Sequence, residues 1–194
     1  MEKFTKKLII LFVGLIIMSF GITLYLQAGF GADPITTLTS GVSKVLGISV
    51  GKASIVTMSF LMLIILIIDR KRIGIGTFAN TFLTGVLIDL FMKINMNTSS
   101  TIFRLFLLFA GVVSFAIGLA MFIVSELGEG PVDVLMLIFK DRKGIGIERA
   151  RLVVDTVLIL LGFLMGANIG IGTITGTFFT GIIMGKTIKA FQKI

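Results

Sequence analysis

Asp33 stands directly before Pro34, one of only two prolines among 194 residues, and Thr36 and Thr37 follow within a helical turn. An Asp-Pro pair starts a helix: the carboxylate caps free N–H groups, and proline at the first position lacks an N–H that would be unpaired anyway. A short helix whose N-terminus faces a cavity offers its N–H groups and positive dipole to an anion, and the two threonine hydroxyls would add to such a site. Asp33 can instead occupy that N-terminus itself; the dipole then stabilises its own carboxylate, and the pair is only a structural cap. The second proline repeats the device as Gly130-Pro131, beside Glu126, Glu129 and Asp133. That acidic loop favours a cation or an amine, or is a solvated turn.

The other candidates are polar residues within apolar sequence, where a charge costs several kcal/mol unless it is paired or faces water. Lys52 and Arg149 each open an apolar stretch; they either snorkel to lipid headgroups or set a positive charge at the mouth of a pathway. Asp89 is expected within reach of Lys52, which would neutralise both. Asp155, with Arg151 at i−4, is the best-placed carboxylate for coupling to an ion, and an internal ion pair explains it nearly as well. Asn80 must hydrogen-bond across a helix interface or face a pathway. Asp33, Thr36, Thr37, Lys52, Asn80, Asp89, Asp133, Arg149 and Asp155 are therefore the candidate substrate-binding residues.

Other chemistries lack their reagents. With no cysteine and no histidine, the chain has no thiolate sites, no disulfides, and neither the commonest metal ligand nor the usual near-neutral proton switch. It also shows no nucleophile–base pattern and no phosphate loop, so neither a cofactor nor an enzyme activity is expected.

The elements that must position these residues follow from composition. The chain is 56% hydrophobic and only 14% charged, with a mean hydropathy of +1.10, which excludes a soluble globule with a polar surface. A bilayer core about 30 Å thick needs about 20 apolar residues at 1.5 Å each. Six such stretches are expected: Leu8 to Ala28, Val50 to Ile68, Ile73 to Phe91, Phe103 to Ser125, Arg149 to Ala167 and Ile169 to Thr187. The first follows Lys3, Lys6 and Lys7 but is too long for a signal core, so it reads as a mature span. Basic clusters at Lys3 to Lys7, Arg70 to Arg72, Lys140 to Lys143 and Lys186 to Lys193 share one face if both termini are cytoplasmic. The net charge of +8 reads as this topology signal and an affinity for anionic lipid, not as nucleic-acid binding.

The chain also repeats itself. Ile73 to Ile88, IGIGTFANTFLTGVLI, matches Ile169 to Met184, IGIGTITGTFFTGIIM; Gly21 to Pro34 matches Gly118 to Pro131, and Gly47 to Val56 matches Gly144 to Val153. Residues 1–97 and 98–194 thus form two halves of one membrane domain. Three spans per half is an odd number, so the second copy enters the membrane from the opposite face. The expected fold is all-α: six transmembrane helices as two inverted three-helix repeats, each with a short interfacial or re-entrant helix after its proline. The repeated Gly-Ile-Gly-Thr opens the third and sixth spans, where glycines and threonines let helices approach closely.

The run Gly29 to Pro34 (G-x-G-x-D-P), the later Gly128 to Asp133 (G-x-G-P-x-D) and the doubled G-I-G-T segments resemble the YczE/YyaS/YitT group of bacterial integral membrane proteins. Ile35 departs from the aromatic that often follows Asp-Pro there. The resemblance implies a multi-pass protein of the bacterial cytoplasmic membrane and carries over no functional residues. Inverted repeats are the common plan of secondary transporters, with a site near the midplane where the halves meet. The leading expectation is a small secondary transporter for a small polar or charged solute. The alternatives are a substrate-binding membrane subunit of a larger importer and a non-transporting interaction or regulatory protein. The expected partners are the lipid bilayer, a small-molecule or ion substrate and, from size alone, a second copy as a homodimer.

Overall fold

A computed structural model describes residues 2–96 and 98–191; Asn97 of the polar connection and Lys193 of the basic tail lie outside the described residues. The order is α1 (Glu2–Ala28), α2 (Pro34–Leu46), α3 (Val50–Asp69), a 3-10 turn over Arg70–Arg72, α4 (Ile75–Phe91), α5 (Thr101–Val124), α6 (Pro131–Lys143), α7 (Ile147–Leu164) and α8 (Ile171–Phe191). Among the described residues all regular structure is helical. Three stretches, Lys3–Ala28, Val50–Arg72 and Thr101–Val124, are long and apolar enough to cross a membrane by length and composition. Only about half of each is buried inside the molecule; residues such as Ile67, Ile102 and Phe109 turn outward.

Local signals set the helix starts. Ser49 Oγ accepts from Lys52 N to cap α3, and Ser100 Oγ accepts from Phe103 N to cap α5. In the repeated Gly-Ile-Gly-Thr, the first glycine is a cap and not helix: Gly74 N donates to Thr77 Oγ1 at 3.1 Å, and Gly170 N to Thr173 Oγ1 at 3.5 Å. Helices α4 and α8 therefore begin two residues later than expected. Helix α7 ends three residues early, because Gly166 takes a left-handed φ of 85° that turns the chain out of the helix.

Helices α1 and α5 cross at the centre. A methyl built on Gly14 would lie 2.9 Å from Gly118 O, and one built on Gly21 would lie 2.9 Å from Gly111 O. Nothing larger than glycine fits there, and the close approach supplies the packing that hydrophobicity cannot supply in lipid. Leu11, Leu15, Met18, Ile22, Tyr25, Val112, Phe115 and Phe122 fill the core around this crossing. Most of the remaining pairings are echoed between the halves. Helix α1 packs on α4 and α5 on α8; α2 packs on α3 and α7, and α6 on α7 and α3. The α3–α4 pairing is not echoed. Helices α3 and α4 pack closely through Gly51 and Gly85, whereas α7 and α8 form no comparable contact.

Polar contacts fix the two ends of the bundle. Lys7 Nζ meets Glu126 Oε2 at 2.6 Å, and Arg72 Nη2 meets Asp141 Oδ2 at 2.7 Å. The first three basic clusters therefore gather at one end. At the other end Gln27 Nε2 donates to Ile94 O (2.7 Å), Arg104 Nε to Ala28 O (2.9 Å) and Lys44 Nζ to Gly166 O (2.6 Å).

Candidate functional site

The loops before α2 and α6 turn the chain back toward the centre of the molecule. Gly29 and Gly31 have φ of 69° and 89°, and Gly128 has φ of 137°, conformations that favour a residue without Cβ. Each loop hangs on the helix start of the other half. Gly172 N donates to Phe30 O at 2.8 Å, and Gly76 N to Leu127 O at 2.8 Å. Thr77 Oγ1 adds a bond to Glu129 O at 2.7 Å. So held, Pro34 and Pro131, the first residues of α2 and α6, line one cavity beside Met18 and Ile22 of α1 and Phe115 and Leu119 of α5. Ile22 is six residues before the end of α1, so the cavity that both N-termini line reaches about 9 Å inside that end.

The cavity holds about 90 Å³. Its polar lining comes from five helices: Thr36 and Thr39 on α2, Ser54 on α3, Asn80 and Thr84 on α4, Asp133 on α6, and Arg151 and Asp155 on α7. Asp155 Oδ2 lies 3.5 Å from Arg151 Nε. Thr84 Oγ1 donates to Asn80 Oδ1 at 3.0 Å. A methyl built on Gly130 would lie 2.9 Å from both Asn80 Nδ2 and Asp133 Oδ2, so that amide and that carboxylate share one corner. Burial pushes the Asp133 carboxyl above the ordinary carboxylate range, against the opposing pull of the Arg151 guanidinium. With two carboxylates against one guanidinium, the lining favours a cationic or zwitterionic guest over an anion. A wider groove of about 620 Å³ adjoins it, sharing Asp133, Met136 and Arg151, and runs past Glu129 and Ile147 to Arg72, Glu126 and Met184 at the basic end.

Of the sequence candidates, Thr36, Asn80, Asp133 and Asp155 come together in this cavity. Asp33 is a cap at its edge: Oδ2 accepts from Thr36 N at 3.3 Å, and burial raises the carboxyl while these cap bonds lower it. Thr37 does not line the cavity; its hydroxyl donates to Ala32 O at 3.0 Å. Lys52 and Arg149 are exposed and outside it, in keeping with snorkelling. The expected Asp89–Lys52 pair is not formed. Asp89 Oδ2 accepts from Ser49 Oγ at 2.6 Å and Oδ1 from Gly51 N at 2.9 Å. The carboxylate takes the positive end of α3, which the glycine approach of α3 to α4 brings within reach. The sequence reading missed Thr39, Ser54 and Thr84 as lining residues and treated Arg151 only as a partner. Ser54, a hydroxyl in the apolar run of α3, was the available signal.

A family model described as "Family of unknown function (DUF6198)" matches residues 5–193. The chain is 29% identical over 175 residues to the uncharacterized protein YyaS of Bacillus subtilis, covering 89% of this chain and 87% of that one. It is 29% identical over 174 residues to the uncharacterized membrane protein YczE of the same organism, covering 89% and 81%. An uncharacterized protein of Haemophilus influenzae is 28% identical over 189 residues, covering 97% and 84%. No solved structure matches. The resemblance read from the glycine–proline motifs is borne out by these matches.

Proposed function

We propose that this chain, which belongs to the DUF6198 family, is a small secondary transporter of the bacterial cytoplasmic membrane, moving a small polar or charged solute through the cavity between its halves. The observation that carries this reading is the convergence of two proline-started helices, one from each half, on one cavity with polar lining from both halves. In a bilayer, irregular backbone such as the loops before them is tolerated only where protein buries it or where it lines a wet cavity. The name of the relative YczE, a membrane protein, supports the setting.

In this reading α1, α3, α4, α5, α7 and α8 are six spans in two inverted repeats, with α2 and α6 re-entrant and both termini cytoplasmic. Helix α4 has 17 residues and reaches about 26 Å, which a slight local thinning of the bilayer accommodates. The doubled bonds Gly76 N to Leu127 O and Gly172 N to Phe30 O support the repeat. The unequal pairing supports a pathway open at one end: the Gly51–Gly85 contact and the Asp89 bonds close the outer end. The groove beside α7 and α8 leads to the cytoplasmic one. A homodimer is proposed from size, and a monomeric mass in native detergent complexes would remove it.

A thermal-shift screen of the purified protein against metabolites and ions tests the solute site, since a ligand at 100 times its Kd adds about 2.7 kcal/mol to the native state. A saturable shift lost in Asp155→Asn and Arg151→Gln, followed by flux into liposomes, is the expected outcome. No shift and no flux from folded protein would refute transport, and copurifying ATPase subunits would point to the importer subunit instead.

A further inference from the structure

Three deeply buried polar atoms have no hydrogen-bond partner where the end of α1, the loop before α2 and the middle of α8 meet: Tyr25 Oη, Asp33 Oδ1 and Thr180 Oγ1. The tyrosine and aspartate are 0% and 3% exposed and the threonine 2%. Tyr25 neighbours both of the others. The Tyr25 hydroxyl lies beside that of Thr180, without hydrogen-bonding geometry, and within electrostatic reach of the Asp33 carboxylate. Gly176, one turn before Thr180 on α8, is closed in by the same groups. A methyl built on it would lie 2.9 Å from Tyr25 Oη and 3.4 Å from Asp33 N. Asp33 Oδ2 is occupied as the cap of α2, which leaves Oδ1 as the unpaired oxygen.

The other half builds the same junction from different residues. Tyr25, Asp33, Gly176 and Thr180 correspond in the repeat to Phe122, Gly130, Asn80 and Thr84. There the Asn80 amide occupies the corner that Gly176 leaves without a side chain. Its Oδ1 accepts from Thr84 Oγ1, and its Nδ2 packs toward Gly130. That version is bonded within itself through the amide, and its carboxylate, Asp133, sits beside the same corner. The first version has put a carboxylate, a phenol and a free hydroxyl around a glycine. A buried carboxylate oxygen without a partner is costly, and such groups in folded proteins are met by a bond or a bound ion.

We propose that the Tyr25–Asp33–Thr180 junction binds a small alkali-metal cation of sodium size. All three ligand atoms are oxygens, the donor type that hard cations take. The Asp33 carboxylate balances one positive charge, and the other acid within its electrostatic reach, Asp155, is already paired with Arg151, so a divalent ion would be left uncompensated in a buried site. The Asp33 carboxylate lies one residue from Pro34 of the central cavity, so the cation would sit beside any solute held there. The inference stands independently of transport: a cation response without solute binding, or the reverse, separates the two readings.

The test is the melting temperature of the purified full chain in sodium, lithium, potassium, choline, magnesium or calcium chloride at constant ionic strength. A saturable rise of several degrees in sodium or lithium over choline is expected. Tyr25→Phe, which copies the other half of the molecule, and Thr180→Val should melt in choline near the wild type and lose most of the rise. Asp33→Asn should abolish it. No rise over choline in any alkali salt, a rise produced only by divalent ions, or an undiminished sodium response in both Asp33→Asn and Thr180→Val would overturn the proposal. Should Asp33→Asn fail to fold, the Thr180→Val and Tyr25→Phe responses decide it.

Discussion

Replacing Gly162 with alanine should loosen the docking of α2 on α7, and with it the cavity that the start of α2 lines. A methyl on Gly162 would lie 2.6 Å from Thr37 O, 2.7 Å from Thr37 C and 2.8 Å from Leu38 N. All three neighbours are backbone of α2, so no side chain can swing aside, and the helices must part by most of an ångström. Overpacking of this kind costs about 1–3 kcal/mol. For a chain of this size a mid-range cost of about 2 kcal/mol lowers the melting temperature by about 4–8 °C. Gly181→Ala is the internal control: a methyl there meets nothing within 4 Å. Alanine in place of a mid-helix glycine gains about 0.5–1 kcal/mol from backbone entropy. The two substitutions are chemically identical and are expected to move stability in opposite directions. The chain has no tryptophan and one tyrosine, so melting is best followed by far-UV circular dichroism in one detergent. If Gly162→Ala melts within a degree of the wild type, or Gly181→Ala falls as far as it does, the α2–α7 contact does not have the closeness described here.

Asp89→Ala removes the acceptor for Ser49 Oγ and Gly51 N at the start of α3. The loss of a part-buried carboxylate at a helix N-terminus should destabilise by about 1–3 kcal/mol, read by the same melting assay; Lys52→Ala should leave stability nearly unchanged, and an equal effect of the two would restore the Asp89–Lys52 pair. Glu126 is exposed, and its carboxyl is held below the ordinary range by the Lys7 ammonium. Because the folded value is lowered, its small stabilisation is present above the ordinary glutamate range and lost as pH falls through the lowered value. Salt should erase it, so melting curves of wild type and Glu126→Gln that differ more at high salt than at low salt would contradict this. Asp33 and Asp133 are raised by burial, so each favours the folded state below the ordinary aspartate range and loses that contribution as pH rises through its raised value. Titrating the melting temperature of Asp133→Asn beside the wild type checks this; a wild type that gains stability over that window relative to the variant would refute it.

Much of the site was legible in local sequence because its parts are local devices. Asp33-Pro34 and Gly130-Pro131 start α2 and α6 where the pairs stand, since capping and proline's missing N–H act within a single turn. Asp155 meets Arg151 because a helix puts i and i+4 on one face. Asp89 was misread for the opposite reason: its partners lie across a helix contact set by Gly51 and Gly85, and sequence distance says nothing about which end of a neighbouring helix arrives first.

Hydropathy, the doubled segments and the glycine–proline loops by themselves determined an apolar all-helical chain in two similar halves, because solvent, periodicity and capping are properties of short stretches. Only the tertiary structure decided that the starts of α2 and α6 share one cavity, that α3–α4 is close while α7–α8 is not, and that an amide fills the junction in one half while the equivalent junction holds an unpaired carboxylate oxygen in the other. Those outcomes depend on backbone approaches between segments far apart in the chain, which near-identical repeats leave undetermined until the helices pack.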